Sequence, residues 1–134
     1  MFDERPDILD RLEGEVVIWM TTVSPAGQPQ TSPVWFLVQD DTIVVYSLAG
    51  TPRTRNIRAN DKVALNLNSS DSGGNLVIIE GRAEIVTDGI PADRNAAYLA
   101  KYGSEMATWD MTVETFTRDY PIRVHIHPTR LRAS

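Results

Sequence analysis

The residues best suited to chemistry lie in Tyr46-Ser47-Leu48-Ala49-Gly50-Thr51-Pro52-Arg53-Thr54-Arg55-Asn56-Ile57. The stretch reads as the end of a β-strand, a tight turn and the first turns of a helix. Thr51 is a good N-cap, because its hydroxyl can accept from a free amide two or three residues on. Pro52 suits the first helical position, where a missing N–H costs nothing and φ is already set. A helix N-terminus carries unpaired donors and partial positive charge, which favour an anion. Arg53 and Asn56 are three apart and share a face beside that end. The arrangement predicts a phosphate cradle.

Other candidates carry less. No serine stands in a Gly-x-Ser-x-Gly elbow, and no nucleophile–base pair is apparent, so no catalytic residue is assigned. His125 and His127 are two apart on one strand and should point the same way. With no cysteine and no evident third ligand, a metal site is not expected, and the pair should line a surface or a subunit contact. Trp35, beside Pro33, should be brought by hairpin pairing next to Tyr46 and Ser47. An indole near an anion cradle suits a phosphorylated, ring-bearing cofactor.

Composition narrows the classes. The chain has 134 residues, 42% of them hydrophobic, enough for one domain with a core. Its net charge of −5 argues against general nucleic-acid binding, which wants a basic surface. Positive charge is nonetheless local: Arg53, Arg55, Arg58 and Lys62 form one group, and Arg123, Arg130 and Arg132 another. Such patches on an acidic protein fit a small anionic ligand. No apolar run approaches the roughly 20 residues needed to span a bilayer. The opening residues lack a basic-then-apolar leader pattern, so no membrane partner and a cytoplasmic location are expected.

The elements that must hold these residues follow in order. Residues 6–12 form an amphipathic helix ended by Gly14. Residues 16–23 form a strand apolar on both faces and therefore expected to be buried on both. A Ser24–Pro29 turn leads into a strand at 30–38, where Pro33 requires an edge or a bulge. Strands at 42–47, 62–68, 75–87 and 121–127 follow, with Gly81 marking a bend or bulge and residues 128–134 left as a tail. Helices are expected at 52–59, at 91–102 (packing through Ala96, Ala97, Leu99 and Ala100) and at 112–119. Six strands with short helices point to a mainly β, six-stranded antiparallel barrel.

That order, with the Tyr46–Ile57 motif followed by Asn60-Asp61-Lys62-Val63-Ala64-Leu65, resembles the pyridoxamine-phosphate-oxidase-like split barrels with an FMN-binding-like fold. Within them it is most similar to small actinobacterial flavin- or deazaflavin-dependent oxidoreductases, many of which use coenzyme F-420. The resemblance implies phosphate contacts at Ser47, Thr51, Arg53 and Asn56, with Arg55 available to an anionic cofactor tail. It implies a ring-facing strand at Thr31, Ser32, Pro33, Val34 and Trp35. It places Asn75 where such proteins reach the ring, often from the neighbouring subunit of a homodimer. Oxidases proper carry a second basic residue where this chain has Pro52, which argues against pyridoxamine phosphate as substrate. The expected activity is hydride transfer from F-420, alternatively FMN, to a small organic substrate. The other reading is a flavin, deazaflavin or haem carrier without turnover.

Overall fold

Alternate residues of the first apolar run turn to opposite sides, and the buried side decides how the chain closes. In the computed structural model, which describes residues 1–134, strand β1 (Val17–Val23) buries Ile18, Met20 and Thr22. Val17, Trp19, Thr21 and Val23 are only half-buried within the single chain. The expected burial of both faces is therefore not met: strand periodicity turns these residues outward, however apolar they are.

Hairpin pairing joins β1 to β2 (Pro29–Trp35), with Trp19 opposite Pro33 and Thr21 opposite Thr31. The remaining strands are β3 (Leu37–Gln39), β4 (Thr42–Ser47), β5 (Lys62–Asn66), β6 (Val77–Val86) and β7 (Ile122–Ala133). All seven lie in one antiparallel sheet of order β2-β1-β5-β6-β7-β4-β3. Pro33 thus lies on an edge strand, as its missing donor requires. The sixfold count is corrected to seven, because the run expected at 30–38 breaks at Phe36.

That break closes the barrel. β2 and β3 are the two edges of the sheet, yet only Phe36 separates them in sequence, so the sheet must curl until its edges meet there. Phe36 leaves both ladders, and helix α3 (Ala96–Thr108) takes up its backbone polar groups. Phe36 N–H donates to Tyr102 Oη (2.7 Å). The Phe36 carbonyl accepts from Lys101 Nζ (3.0 Å) and from Tyr102 Oη (2.8 Å), whose proton also reaches the Val16 carbonyl (2.8 Å). A buried backbone group without a partner costs about as much as a lost hydrogen bond, so these two side chains make the seam possible.

Lys101 fills its role partly desolvated: Nζ lies 3.9 Å from the Phe36 ring centroid, and burial lowers its pKa from 10.5 to about 8. The unfolded chain then holds more protons than the folded chain between pH 8 and 10.5, so this residue makes stability rise with pH across that window. Denaturant titrations of wild type and Lys101→Met at about pH 7.5 and about pH 9.5 should show the gap move in favour of wild type at the higher pH.

The helices cover the two ends of the core. In α1 (Pro6–Gly14), Ile8 and Leu12 are four apart and sink with Phe2 into the barrel core of Ile18, Ile43, Ile79 and Ile126. Each such side chain contributes roughly 1.5–3 kcal/mol by leaving water. In α3 the buried residues are Tyr98, Tyr102 and Met106, spaced four apart, while Ala96, Ala97 and Ala100 face solvent. The expected alanine-packed face is corrected accordingly: large aromatic side chains gain more from burial than alanines. With Phe116 of α4 (Val113–Asp119) and Tyr46, they form a second core against β4.

The last strand is longer than expected. β7 runs on through the predicted tail to Ala133 and pairs with β6 as far as Val77. Pro128 lies opposite Gly81, where the register shifts between Glu80 and Gly81. Gly81 is obligatory there, because a Cβ would meet the His127 carbonyl oxygen at 2.8 Å. No helix is long and apolar enough to cross a membrane.

Candidate functional site

Helix α2 (Pro52–Ala59) starts as its sequence dictates. Thr51 has extended backbone, and its hydroxyl accepts from Thr54 N–H (3.3 Å), with Pro52 beginning the first turn. The cap hydroxyl is therefore committed to its own helix. What the turn delivers is Arg53, whose guanidinium bridges two strands. It donates to Ser32 Oγ on β2 (2.9 Å) and to Ser47 Oγ at the end of β4 (3.1 Å).

The electrostatics of Arg53 are unusual. No carboxylate pairs with it, and Nε is buried without a hydrogen-bond partner. Burial pulls its pKa below the ordinary guanidinium value. A desolvated cation held by two neutral hydroxyls is costly until an anion arrives, and guanidinium geometry suits phosphate or carboxylate.

Arg53 is also the one charged residue lining a cavity of about 420 Å³ whose walls are otherwise mostly apolar. β2 supplies Pro33, Val34 and Trp35 to it, β4 supplies Tyr46, and α3 supplies Tyr98. Trp35 reaches Tyr46 across this cavity and not by strand pairing: β2 pairs with β1, whereas β4 pairs with β3 and β7. That expectation is corrected because the hairpin partner of the Pro33 strand precedes it in sequence. Trp35 is held by stacking on Tyr102 (4.7 Å between centroids) and Phe116 (5.6 Å). Trp109, 69% exposed, stands beyond the end of α3 and also borders the cavity.

The structure thus gathers Pro33, Val34, Trp35 and Arg53 around one space, with Ser32 and Ser47 joined to it only through the Arg53 guanidinium. Five other candidates lie apart from it, the cap residue Thr51 among them. Thr31 faces outward and shares a hydrogen bond with Thr21 (3.0 Å). Arg55 is exposed on the other face of α2. Asn56 is buried and spends both amide protons on Thr22 Oγ1 (2.9 Å) and Gln30 Oε1 (2.8 Å), fastening α2 to the β1–β2 hairpin. Asn75 is exposed with φ of 61°, its carbonyl accepting from Arg11 (2.7 Å).

The histidines are both engaged on β7. His125 Nε2 accepts from Arg123 Nε (2.6 Å), and burial and then the Arg123 charge lower its pKa. His127 pairs with Glu84 (2.9 Å). Neither lines the cavity. Tyr46, Tyr98 and Tyr120 do, and sequence reasoning passed over Tyr98 and Tyr120. The four-residue spacing of Tyr98, Tyr102 and Met106 was the available signal, since it marks one helix face.

Comparison with known proteins agrees with this architecture. A sequence model described as pyridoxamine 5'-phosphate oxidase matches residues 5–127. No curated protein sequence gives a match. Among solved structures, the fold is similar to that of the conserved hypothetical protein Rv2991 from Mycobacterium tuberculosis (TM-score 0.74, 24% identity, covering 96% of this chain and 82% of that one). It is similar to an F-420 reductase (TM-score 0.66, 26% identity, covering 90% and 92%). HutZ, a haem storage protein from Vibrio cholerae, shares the fold at 13% identity (TM-score 0.69, covering 96% and 93%). With the family match spanning nearly all of the sheet and its helices, the chain belongs to the pyridoxamine 5'-phosphate oxidase family.

Proposed function

We propose that this protein is a cytoplasmic homodimeric reductase that binds coenzyme F-420, alternatively FMN, and reduces a small organic substrate. The observation that carries the reading is Arg53: a partly buried guanidinium with no acidic partner, at the foot of an aromatic cavity. Similarity to an F-420 reductase at 26% identity supports the deazaflavin over other ligands of this fold.

In this reading Arg53 holds the coenzyme's phosphate, and Ser32 and Ser47 orient the guanidinium. The amide at the start of α2 adds a donor beside it. Pro33, Val34 and Trp35 form the wall that positions the ring, with Trp35 fixed by Tyr102 and Phe116 behind it. When bound, a reduced deazaflavin supplies a hydride, and the protein contributes position and exclusion of water. The half-buried outer face of β1, including Val17 and Trp19, supports a subunit contact there, with exposed Asn75 available to a neighbouring site. A haem carrier is less well supported, because both histidines have partners and stand away from the cavity.

Mixing catalytic amounts of protein with reduced F-420 and a panel of oxidised organic acceptors tests the reading. Loss of coenzyme fluorescence recovery on every acceptor, despite tight binding, would favour a carrier. Multiple-turnover oxidation of the coenzyme with at least one acceptor is the expected result.

A further inference from the structure

Three tyrosines share the second core, and their hydroxyls fare differently. That of Tyr98 is buried without a partner, and that of Tyr102 serves the Phe36 seam. Tyr46 Oη stands instead at the centre of a polar cluster that ties a loop to the sheet. It donates to the Ile90 carbonyl (2.9 Å) and accepts from Arg123 Nη1 (3.0 Å), which also donates to that carbonyl (2.8 Å). The side-chain amide of Asn95, the N-cap of α3, reaches Tyr46 Oη as well (3.3 Å). Residues 87–91, which lead from β6 towards α3, therefore rest on Arg123, so closely that a Cβ at Gly89 would collide with Arg123 Cδ.

One further bond fixes that side chain: Arg123 Nε donates to His125 Nε2 (2.6 Å). A guanidinium N–H can only donate, so the imidazole is neutral and Nε2 is its acceptor. A proton added there turns the acceptor into a donor and sets two cations against each other, so the contact does not survive in the imidazolium state. We infer that His125 is the acid-sensitive catch of a latch: protonating it frees Arg123 and loosens residues 87–91 together with the start of α3. The surroundings favour the neutral ring. Arg123 and His127 lie beside it on β7, Glu84 lies opposite it on β6, and Arg82 lies opposite His127. On β4 the facing residues are Val44 and Tyr46, and the loop adds an exposed Asp88. Glu84 is the carboxylate placed to hold an imidazolium, and His127 engages it (2.9 Å). Burial, and then the Arg123 charge, accordingly lower the His125 pKa. The folded chain thus binds this proton less well than the unfolded chain. The latch's stability is present above the ordinary histidine value of 6.5 and is lost as pH falls below it, through the folded value. Tyr46 also lines the cavity beside Arg53, so an open latch reaches that wall whatever ligand the cavity takes.

Hydrogen exchange at the amides of residues 88–98, corrected for intrinsic rates and compared at about pH 7.5 and about pH 5, tests the latch. Wild type should lose about tenfold in protection at the lower pH, the worth of one hydrogen bond to a charged group. His125→Gln keeps a carbonyl that can accept from Arg123 but has no proton to gain, so it should change by less than about twofold. His127→Gln should behave like wild type, and amides of the β1–β2 hairpin should change less than those of the loop. In wild type the midpoint of the loss should follow protonation of His125, read from its imidazole NMR signals; this holds the test on the unaltered chain. Equal losses in wild type and His125→Gln would overturn the inference. So would no loss in wild type, a uniform loss across the sheet, or a midpoint that follows His127.

Discussion

Arg53→Ala should bind coenzyme F-420 at least about 100-fold more weakly than wild type in a fluorescence titration, while folding normally. Two charge-assisted hydrogen bonds to phosphate, at about 1.5 kcal/mol or more each, account for that loss. The fold should not suffer, since removing a partly buried cation with no acidic partner relieves a desolvation cost. Ser32 and Ser47 each lose one hydrogen bond accepted from the guanidinium. Arg53→Lys should recover part of the affinity but not all, because an ammonium supplies the charge without the planar fork that spans both strands. Unchanged affinity in the alanine variant would remove the anion assignment.

Tyr102→Phe should cost about 2–4 kcal/mol of stability, lowering the melting temperature by roughly 10 °C. The phenol oxygen accepts from Phe36 N–H and donates toward the Val16 and Phe36 carbonyls, all at the one point where the sheet changes edges. Without it, a buried N–H is orphaned in a place no strand can reach. The contrast with Tyr98→Phe, four residues earlier on the same helix, is the informative part. The two substitutions delete the same atom from the same core, yet one should destabilise strongly and the other not at all. Calorimetry on both variants checks this; similar losses would mean the seam does not depend on Tyr102.

Where local chemistry decides structure, the sequence was readable. Thr51 and Pro52 start α2 as N-cap and first helical residue, Pro33 lies on an edge, and Gly81 lies at a register shift. Val63, Leu65 and Leu67 turn inward as their alternation requires. Where closure of the whole sheet decides, it was not. Nothing in the run from Pro33 to Val38 distinguishes Phe36 from its neighbours, and only the meeting of two sheet edges makes it leave the ladder. Pro128 reads as a strand end, but opposite the bulge and beyond Ile126, the last residue of β7 paired with β4, a proline is tolerated.

The site was half legible for the same reason. Arg53, Ser47 and the Pro33–Trp35 strand could be singled out because a capped helix and an edge proline announce themselves locally. Asn56 shares a helix face with Arg53 by spacing, but α2 lies so that this position meets Thr22 and Gln30 instead. Tyr98 of α3 becomes cavity wall, and Tyr102 the support of Phe36, only because the helix crosses the barrel seam, a long-range fact.

The crystal structure of the protein with F-420 tests the central claim most directly. The expected result has a coenzyme phosphate oxygen within hydrogen-bonding distance of the Arg53 guanidinium and the deazaflavin ring against Pro33, Val34 and Trp35. A coenzyme bound elsewhere, with Arg53 still held by Ser32 and Ser47 alone, would contradict it.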